Sequence, residues 1–221
     1  MTFRGFCGVF FGVWVGLAAV FSHGSERCVP ADSIQEIDGK RVIQATVARV
    51  VDGDTVKANI RGTELSVRFL SIDTPETHYM GRSQGEWGDR ATEALSELLP
   101  VRSKITIELD REVCDRYGRL LGYVFKGRRN INQAMLESAL AVNYCIAPNL
   151  RYCEDFARVV AEKVADRSGI FGDASLELPY EWRRIISDRP YEKYLGDIRT
   201  REVYGPGPVD RVAISDRVFF F

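Results

Sequence analysis

Apolar residues alternate with polar ones in three consecutive runs after residue 40, and this period of two predicts β-strands. The runs are VIQATVARVV, TVKANI and ELSVRFLSI, and the turns DGD and RGTE separate them. In the third run the alternation places Leu65, Val67 and Phe69 on one face and Arg68 on the other. Three strands joined by short turns predict an antiparallel meander.

The next part of the chain mixes helical and strand periods. A one-sided helix is predicted in GEWGDRATEALSELLP, two further strands in SKITIELD and RLLGYVF, and two more helices in NINQAMLESALA and YCEDFARVVAEKVADRSGIF. The order β-β-β-α-β-β-α-α has no βαβ alternation, which favours a small closed barrel. The predicted fold class is α+β (mainly β): a five-stranded antiparallel OB-fold barrel with about three packed helices.

The two ends of the chain differ from this middle part. Residues 1–24 hold an apolar run after one early arginine, which predicts a secretory signal peptide or an N-terminal anchor. The protein is therefore expected to be secreted or periplasmic, with membrane association only through an uncleaved leader. Residues 41–172 are predicted to form the barrel domain. Residues 173–221, which contain several prolines and GPGP, are predicted to be an extension that lies on the barrel or is partly loose.

Composition supports one globular domain with appendages. The chain has 221 residues, of which 45% are hydrophobic and 28% are charged, and its formal net charge is -1. A chain so close to neutral does not attract nucleic acid by bulk charge. Any binding of phosphate groups must therefore be local.

The cysteines predict disulfide bonds. Four of them lie after the leader, at Cys28, Cys114, Cys145 and Cys153. No two have the C-x-x-C spacing typical of zinc or redox sites, and an even number in an exported protein favours disulfides over free buried thiols. Three pairings are possible, and the sequence does not separate them.

The motif SIDTPE places Asp73 and Glu76 three positions apart, directly after the third strand. A helix-capping box has the same spacing, but the glycine-rich THYMGRSQGEWG that follows has no periodic apolar face. Asp54 lies in the first hairpin, where Asp52 and Gly53 are interpreted as an ordinary turn. In a meander these three carboxylates can meet at one barrel edge. They would then need a cation, and oxygen ligands without histidine or cysteine favour Ca²⁺ or Mg²⁺.

Two arginines accompany these carboxylates. Arg68 lies on the strand that delivers Asp73, and Arg119 begins the fifth strand in DRYGRLLGY. A guanidinium group binds phosphate oxygens as a planar fork and stabilises negative charge that develops during reaction. A surface salt bridge is the alternative for each arginine. Beside a metal-binding cluster, the arginines favour a phosphodiester substrate.

Three motifs, VVDGDTV, VRFLSIDTPE and DRYGRLLGYVF, resemble the staphylococcal nuclease (thermonuclease) family of OB-fold phosphodiesterases. They occur in the family's order and at compatible spacings, and the resemblance runs from Val42 to about Phe171. It implies a Ca²⁺-dependent nuclease that cuts DNA and RNA with low sequence specificity and leaves 3′-phosphate ends. No stable protein partner is expected, and the protein is expected to be a monomer.

The resemblance also implies roles for individual residues. The expected catalytic residues are Arg68, Glu76 and Arg119. The expected Ca²⁺ ligands are Asp54, Asp73 and the backbone carbonyl of Thr74. The expected substrate contacts are Arg116, Tyr117 and Tyr144. Glu76 is expected to act as general base for the attacking water, and the two catalytic arginines are expected to hold the phosphate.

This chain departs from the family pattern around the nucleotide. A second tyrosine of the family's pocket is Ile146 here, and a lysine beside the YGR motif is Arg116. Substrate preference, including DNA against RNA, therefore stays open. Cys114 and Cys145 fall in the two loops that flank the nucleotide in the family. A disulfide between Cys114 and either Cys145 or Cys153 is therefore expected to stiffen this pocket.

Two other functions compete with the nuclease. The barrel could be a catalytically weak binding module for nucleic acid or protein in the cell envelope. The protein could also be an envelope interaction factor whose tail, ending DRVFFF, docks to a partner. The complete set of charged residues favours the enzyme: Asp54, Arg68, Asp73, Glu76 and Arg119.

Overall fold

A computed structural model describes residues 28–221 of the chain. The predicted leader, residues 1–24, lies outside the described residues. Within residues 28–221, no helix is both long enough and apolar enough to cross a membrane.

The regular elements confirm the predicted order and add strands to it. The strands are β1 (Gln35–Ile37), β2 (Lys40–Asp52), β3 (Thr55–Ile60), β4 (Thr63–Phe69), β5 (Ser71–Asp73), β6 (Lys104–Glu108), β7 (Leu120–Lys126), β8 (Arg129–Asn130), β9 (Val142–Ile146), β10 (Tyr194–Asp197), β11 (Val203–Tyr204) and β12 (Arg217–Phe220). The α-helices are α1 (Glu86–Leu98), α2 (Ile131–Glu137), α3 (Cys153–Ala165) and α4 (Pro179–Ile186).

Five of these strands close into the predicted barrel. They pair in the order β2-β3-β4-β7-β6, and β6 pairs again with β2. The mainly β, OB-like fold class is therefore confirmed. One feature is corrected: β4 and β7 run parallel, so the barrel is not antiparallel throughout. The helix α1 and the strand β6 lie between them in the chain, so no tight turn forces β4 and β7 to run in opposite directions.

The apolar face of the barrel strands forms the core, as the period of two predicts. Val67 and Phe69 of β4 are buried there, and helix α1 contributes Ala91 and Leu95. Helix α3 covers the core with Phe156, which is also fully buried. The helices therefore close the barrel with the apolar stripes that their 3.6-residue periods indicate.

The predicted third strand is broken at Ser71. Ser71 is the first residue of β5 and has a left-handed backbone, with φ of 61°, and Leu70 lies between β4 and β5. The buried Ser71 hydroxyl lies 3.2 Å from the Tyr123 hydroxyl. Beyond the break, β5 leaves the barrel and pairs with β9 in a second sheet. The break therefore carries Asp73 out of the barrel wall.

The C-terminal extension is part of this second sheet. Its strands complete the order β11-β10-β12-β9-β5, with β12 parallel to β9. Its side chains also build a small apolar cluster with the domain: Val142, Ile170, Tyr180, Leu195, Val212 and Phe219. Residues 173–221 thus reach, through β9, the strand that carries Asp73.

The disulfides pair Cys28 with Cys114 and Cys145 with Cys153. The expected bond from Cys114 to Cys145 or Cys153 is therefore wrong. Cys153 begins α3 and faces Cys145 on β9, because a short turn joins these two elements. Cys114 instead ties the loop before β7 to the segment that precedes β1.

Candidate active site

Two buried carboxylates from separate elements meet beside the barrel. Asp54 lies in the turn between β2 and β3 and is 5% exposed, whereas Asp73 ends β5 and is fully buried. Nη2 of Arg68 lies 3.1 Å from Asp54 Oδ2 and 2.9 Å from Asp73 Oδ1. Thr74 fixes Asp54, because its backbone N–H and its hydroxyl both donate to Asp54 Oδ2, at 3.0 Å and 3.2 Å. The first hairpin and the exit of the third strand therefore lie side by side.

The backbone around the strand break holds Arg68. Its Nη1 donates to the carbonyls of Phe69 and Ile72, at 2.8 Å and 3.0 Å. The β3–β4 register places Arg68 opposite Thr55, the residue that follows Asp54. Because these carbonyls lie on either side of the break, one guanidinium both stabilises the break and faces the two carboxylates.

Glu76 lies on the loop after β5, and its backbone is fixed on both sides. Its N–H donates to Gln84 Oε1 at 3.1 Å, and its carbonyl accepts from the Gln84 N–H at 2.8 Å. A Cβ at Gly88 of α1 would lie 2.7 Å from the Glu76 carbonyl oxygen, so this close approach requires glycine. Burial raises the pKa of Glu76, and the neighbouring Arg183 opposes that rise. A carboxylate on a fixed backbone and with a raised pKa suits a general base.

Asp52 belongs to this cluster, although the sequence interpretation treated it as a turn residue. Its Oδ1 accepts the backbone N–H of Asp54 at 3.1 Å. Burial, followed by the nearby Asp54 carboxylate, raises the pKa of Asp52 to about 7. The sequence carried no separate signal for Asp52, since an aspartate before glycine already satisfies a hairpin turn.

Arg119 precedes β7, at the side of the barrel where Arg68 lies. In the parallel β4–β7 pair, Leu121 is opposite Arg68. Arg119 Nε lies 2.6 Å from Asp115 Oδ2, and its side chain is 33% exposed. Within the described residues Arg119 forms no ion pair with Asp54, Asp73 or Glu76. The structure therefore places Arg119 directly before the neighbouring strand, held by an acid of its own loop.

Comparison with protein families gives a match that includes Arg68, Asp73, Glu76 and Arg119. The family described as staphylococcal nuclease homologue matches residues 66–173. This part of the chain is similar to a staphylococcal nuclease-type domain. The matched range begins after the first hairpin, so the place of Asp54 in this nuclease-type site rests on the hydrogen bonds and ion pairs given above.

Three bacterial proteins show the extent of the similarity. The chain is 31% identical over 189 residues to Endonuclease YhcR of Bacillus subtilis, a match that covers 80% of this chain and 15% of that protein. It is 33% identical over 134 residues to Endonuclease YncB of Bacillus subtilis, covering 60% of this chain and 63% of the relative. It is 33% identical over 108 residues to the Thermonuclease of Staphylococcus hyicus, covering 49% of this chain and 63% of the relative. The chain thus spans less than two thirds of each of these relatives.

The three expected substrate contacts of the nuclease-type domain occupy two surfaces. Arg116 and Tyr117 lie in the exposed loop before β7, where Arg116 Nη2 donates to the Tyr117 hydroxyl at 2.7 Å. Tyr117 is 67% exposed, and the guanidinium groups of Arg116 and Arg119 lie over its ring, 4.9 Å and 5.6 Å from the ring centroid. Tyr144 on β9 instead stacks on Tyr180 of α4, with ring centroids 5.1 Å apart and planes 6° apart. The extension therefore covers one face of Tyr144.

Arg183 of α4 is a further residue in the nuclease-type site that the sequence interpretation missed. Its Nη1 and Nη2 lie 3.0 Å and 2.8 Å from the two carboxylate oxygens of Asp73. Its Nη1 also donates to Glu76 Oε1 at 2.5 Å. The signal in the sequence was the arginine pair of PYEWRR in a segment read as irregular. That pair shows charge, but it does not identify a partner that lies 110 positions earlier in the chain.

The carboxylates fit a hard divalent cation as a partial ligand set. Within the described residues no group of three or more His, Cys, Asp or Glu side chains could by itself hold a metal ion. Asp54 and Asp73 nevertheless converge, and both offer only oxygen, the ligand that Ca²⁺ prefers. Together with Asp52 and Glu76 they outnumber the two guanidinium groups in contact with the cluster, which leaves excess negative charge for a cation. Backbone carbonyls and water complete many such sites.

We expect Gly53→Ala to distort the hairpin that carries Asp54. A Cβ at Gly53 would lie 2.7 Å from Ala91 Cβ and 2.7 Å from Thr74 Oγ1. Such overpacking costs about 1–3 kcal/mol of the free energy of unfolding, to be measured by urea denaturation. The matched control is Gly205→Ala, because nothing lies within 4 Å of a Cβ there. Equal stability of the two variants would contradict a packing requirement at Gly53.

Proposed function

We propose that this chain is a Ca²⁺-dependent endonuclease that hydrolyses DNA and RNA with low sequence specificity and leaves 3′-phosphate ends. The observation that carries the proposal is the convergence of Asp54 and Asp73 on Arg68, with the Glu76 backbone fixed on the adjoining loop. The names of the relatives, two endonucleases and a thermonuclease, support the same reaction class. Activity and substrates of the whole protein are part of the proposal.

In this proposal each charged group has a defined task. Ca²⁺, held by Asp54, Asp73 and the Thr74 carbonyl, supplies positive charge beside the phosphate when it is bound. Arg68 donates to a phosphate oxygen from β4, and Arg119 approaches from the loop directly before the adjacent strand β7. Both guanidinium groups then stabilise the negative charge that grows on the phosphate oxygens.

Glu76 acts as the general base of this reaction. Its carboxylate takes a proton from the attacking water, whose oxygen bonds to phosphorus. The bond from phosphorus to the 5′-oxygen breaks, this oxygen takes up a proton from solvent water and leaves as a 5′-hydroxyl, and the phosphate stays on the 3′ side of the cut. The exposed Tyr117 and the Arg116 guanidinium that lies over its ring form a surface on which a base of a single strand stacks.

We also propose that the enzyme acts outside the cytoplasm. Two disulfides between four cysteines support an oxidising compartment. The predicted leader in residues 1–24 supports export by secretion or to the periplasm. The location is tested by fractionating cells that express the full chain and probing each fraction with an antibody.

The first test of the function is hydrolysis of plasmid DNA and of RNA by the purified protein, with Ca²⁺ or with a chelator. Hydrolysis is expected with Ca²⁺ only, and end-group analysis is expected to find 3′-phosphates. Glu76→Gln is expected to lower the rate about 10²-fold, because the general base is removed. The control is Glu64→Gln, at an exposed position on β4.

Each result bears on one part of the proposal. Hydrolysis that survives the chelator excludes a required metal ion, and an unchanged rate in Glu76→Gln excludes this base. Binding of nucleic acid without hydrolysis by the wild-type protein would favour the binding module over the enzyme.

A further inference from the structure

Arg183 joins two of the proposed active-site carboxylates through one planar group. Nη1 contacts both Asp73 Oδ1, at 3.0 Å, and Glu76 Oε1, at 2.5 Å, while Nη2 contacts Asp73 Oδ2 at 2.8 Å. Charge-assisted bonds from a rigid guanidinium fix both separation and orientation. The position of the Glu76 carboxylate relative to Asp73 is therefore set by a residue of the C-terminal extension.

The Glu76 side chain needs such a cation. Gln84 fixes its backbone, but the side chain is 19% exposed and can turn towards water. Neighbouring carboxylates also repel one another when both are ionised. A general base must stay within hydrogen-bond reach of the water that it deprotonates. Without Arg183, repulsion from Asp73 would favour conformations in which Glu76 points away.

The helix that carries Arg183 is itself held against the domain. Tyr180, one turn earlier on α4, stacks on Tyr144 and accepts a hydrogen bond at its hydroxyl from Arg217 Nη1 at 2.7 Å. Gln84 Nε2 donates to the Glu177 carbonyl just before α4, at 2.8 Å. Gln84 thus contacts both the Glu76 backbone and the start of the helix, so the base and α4 have a common support.

We propose that Arg183 is a positioning residue of the nuclease site and that it acts by holding Glu76 beside Asp73. The inference rests on the proposed function. It makes the extension a required part of the catalytic unit, although the family match ends at residue 173. The alternative role is that Arg183 blocks the site as an internal cation. Its removal would then raise the rate of hydrolysis instead of lowering it. The carboxylates still outnumber Arg68 and Arg183 together, which leaves charge for a metal ion while Arg183 stays bound.

The test compares Arg183→Gln, Arg183→Lys and the control Arg184→Gln in the full chain. Arg184 is the next residue on α4, but it contacts Glu181 and Tyr191 instead of the site. The measurements are kcat and KM on a single-stranded oligonucleotide with saturating Ca²⁺, the Ca²⁺ affinity by calorimetry, and the melting temperature. Glu76→Gln alone and the double variant that combines Glu76→Gln with Arg183→Gln complete a double-mutant cycle.

A positioning role predicts a specific set of results. Arg183→Gln lowers kcat about 10²-fold with little change in KM, the scale expected for a misplaced catalytic group. Arg183→Lys keeps the positive charge but not the planar fork, so its kcat is about tenfold higher than that of Arg183→Gln. Ca²⁺ binds Arg183→Gln at least as tightly as the wild type, because a nearby positive charge is gone. Adding Arg183→Gln to Glu76→Gln causes no further loss, since both act through the same carboxylate.

Other results overturn the inference. A rate in Arg183→Gln equal to that of Arg184→Gln, or higher than wild type, excludes positioning, and a higher rate together with tighter Ca²⁺ binding identifies a blocking role. A further loss in the double variant excludes action through Glu76. If Arg183→Gln does not fold, Arg183→Lys decides on the same kcat and KM criterion. An inactive wild-type protein, by contrast, refutes the proposed function itself.

Discussion

Replacement of Arg68 with leucine is expected to lower the free energy of unfolding by about 3–5 kcal/mol, the usual cost of removing one partner from a buried ion pair. The Arg68 side chain is 13% exposed, and the side chains of its partners Asp54 and Asp73 are 8% and 0% exposed. The substitution also removes a donor from the carbonyls of Phe69 and Ile72. Urea denaturation measures the loss of stability.

The same variant is expected to lose hydrolysis about 10²–10³-fold, the range for removing one donor to developing negative charge. The control is Arg61→Leu, because Arg61 and Asp32 form an ion pair with side chains 52% and 69% exposed. An exposed pair contributes about 1 kcal/mol or less. If the two variants lose the same stability, Arg68 is not the buried counter-ion that its contacts indicate.

Local pattern was sufficient to predict the barrel and the meeting of Asp54 with Asp73. A period of two defines which face of each strand is buried, and a meander brings the first hairpin next to the third strand. The break at Ser71 was not visible, because no glycine marks the left-handed position. The break matters to the site, since Arg68 binds carbonyls on both sides of it.

Contacts between distant segments could not be predicted. Strand β9 reads VNYCI, with apolar residues on both faces, and β12 reads RVFF, so neither run shows a simple alternation. Both are strands because each pairs with a segment far away in the chain. Arg183 has the same limitation, since its charge is visible in the sequence and its partners Asp73 and Glu76 are not.

Disulfide pairing was also open from the sequence, and the observed pairs predict unequal contributions to stability. Cys28 and Cys114 are 86 positions apart, whereas Cys145 and Cys153 are 8 apart. Loop-closure entropy gives about 4–5 kcal/mol for the first bond and about 2–3 kcal/mol for the second. The longer loop loses more conformations when it is cross-linked, so its bond destabilises the unfolded chain more.

Each bond can be measured alone by unfolding a double variant with and without reductant. In the Cys145→Ala, Cys153→Ala protein, reduction breaks only the Cys28–Cys114 bond, so the stability change excludes any cavity made by alanine. The Cys28→Ala, Cys114→Ala protein reports the other bond in the same way. A larger change for the short loop would contradict an entropic origin.

Cys114 also lies two residues before Arg116, so reduction of the long-range bond is expected to loosen the loop and raise KM for nucleic acid.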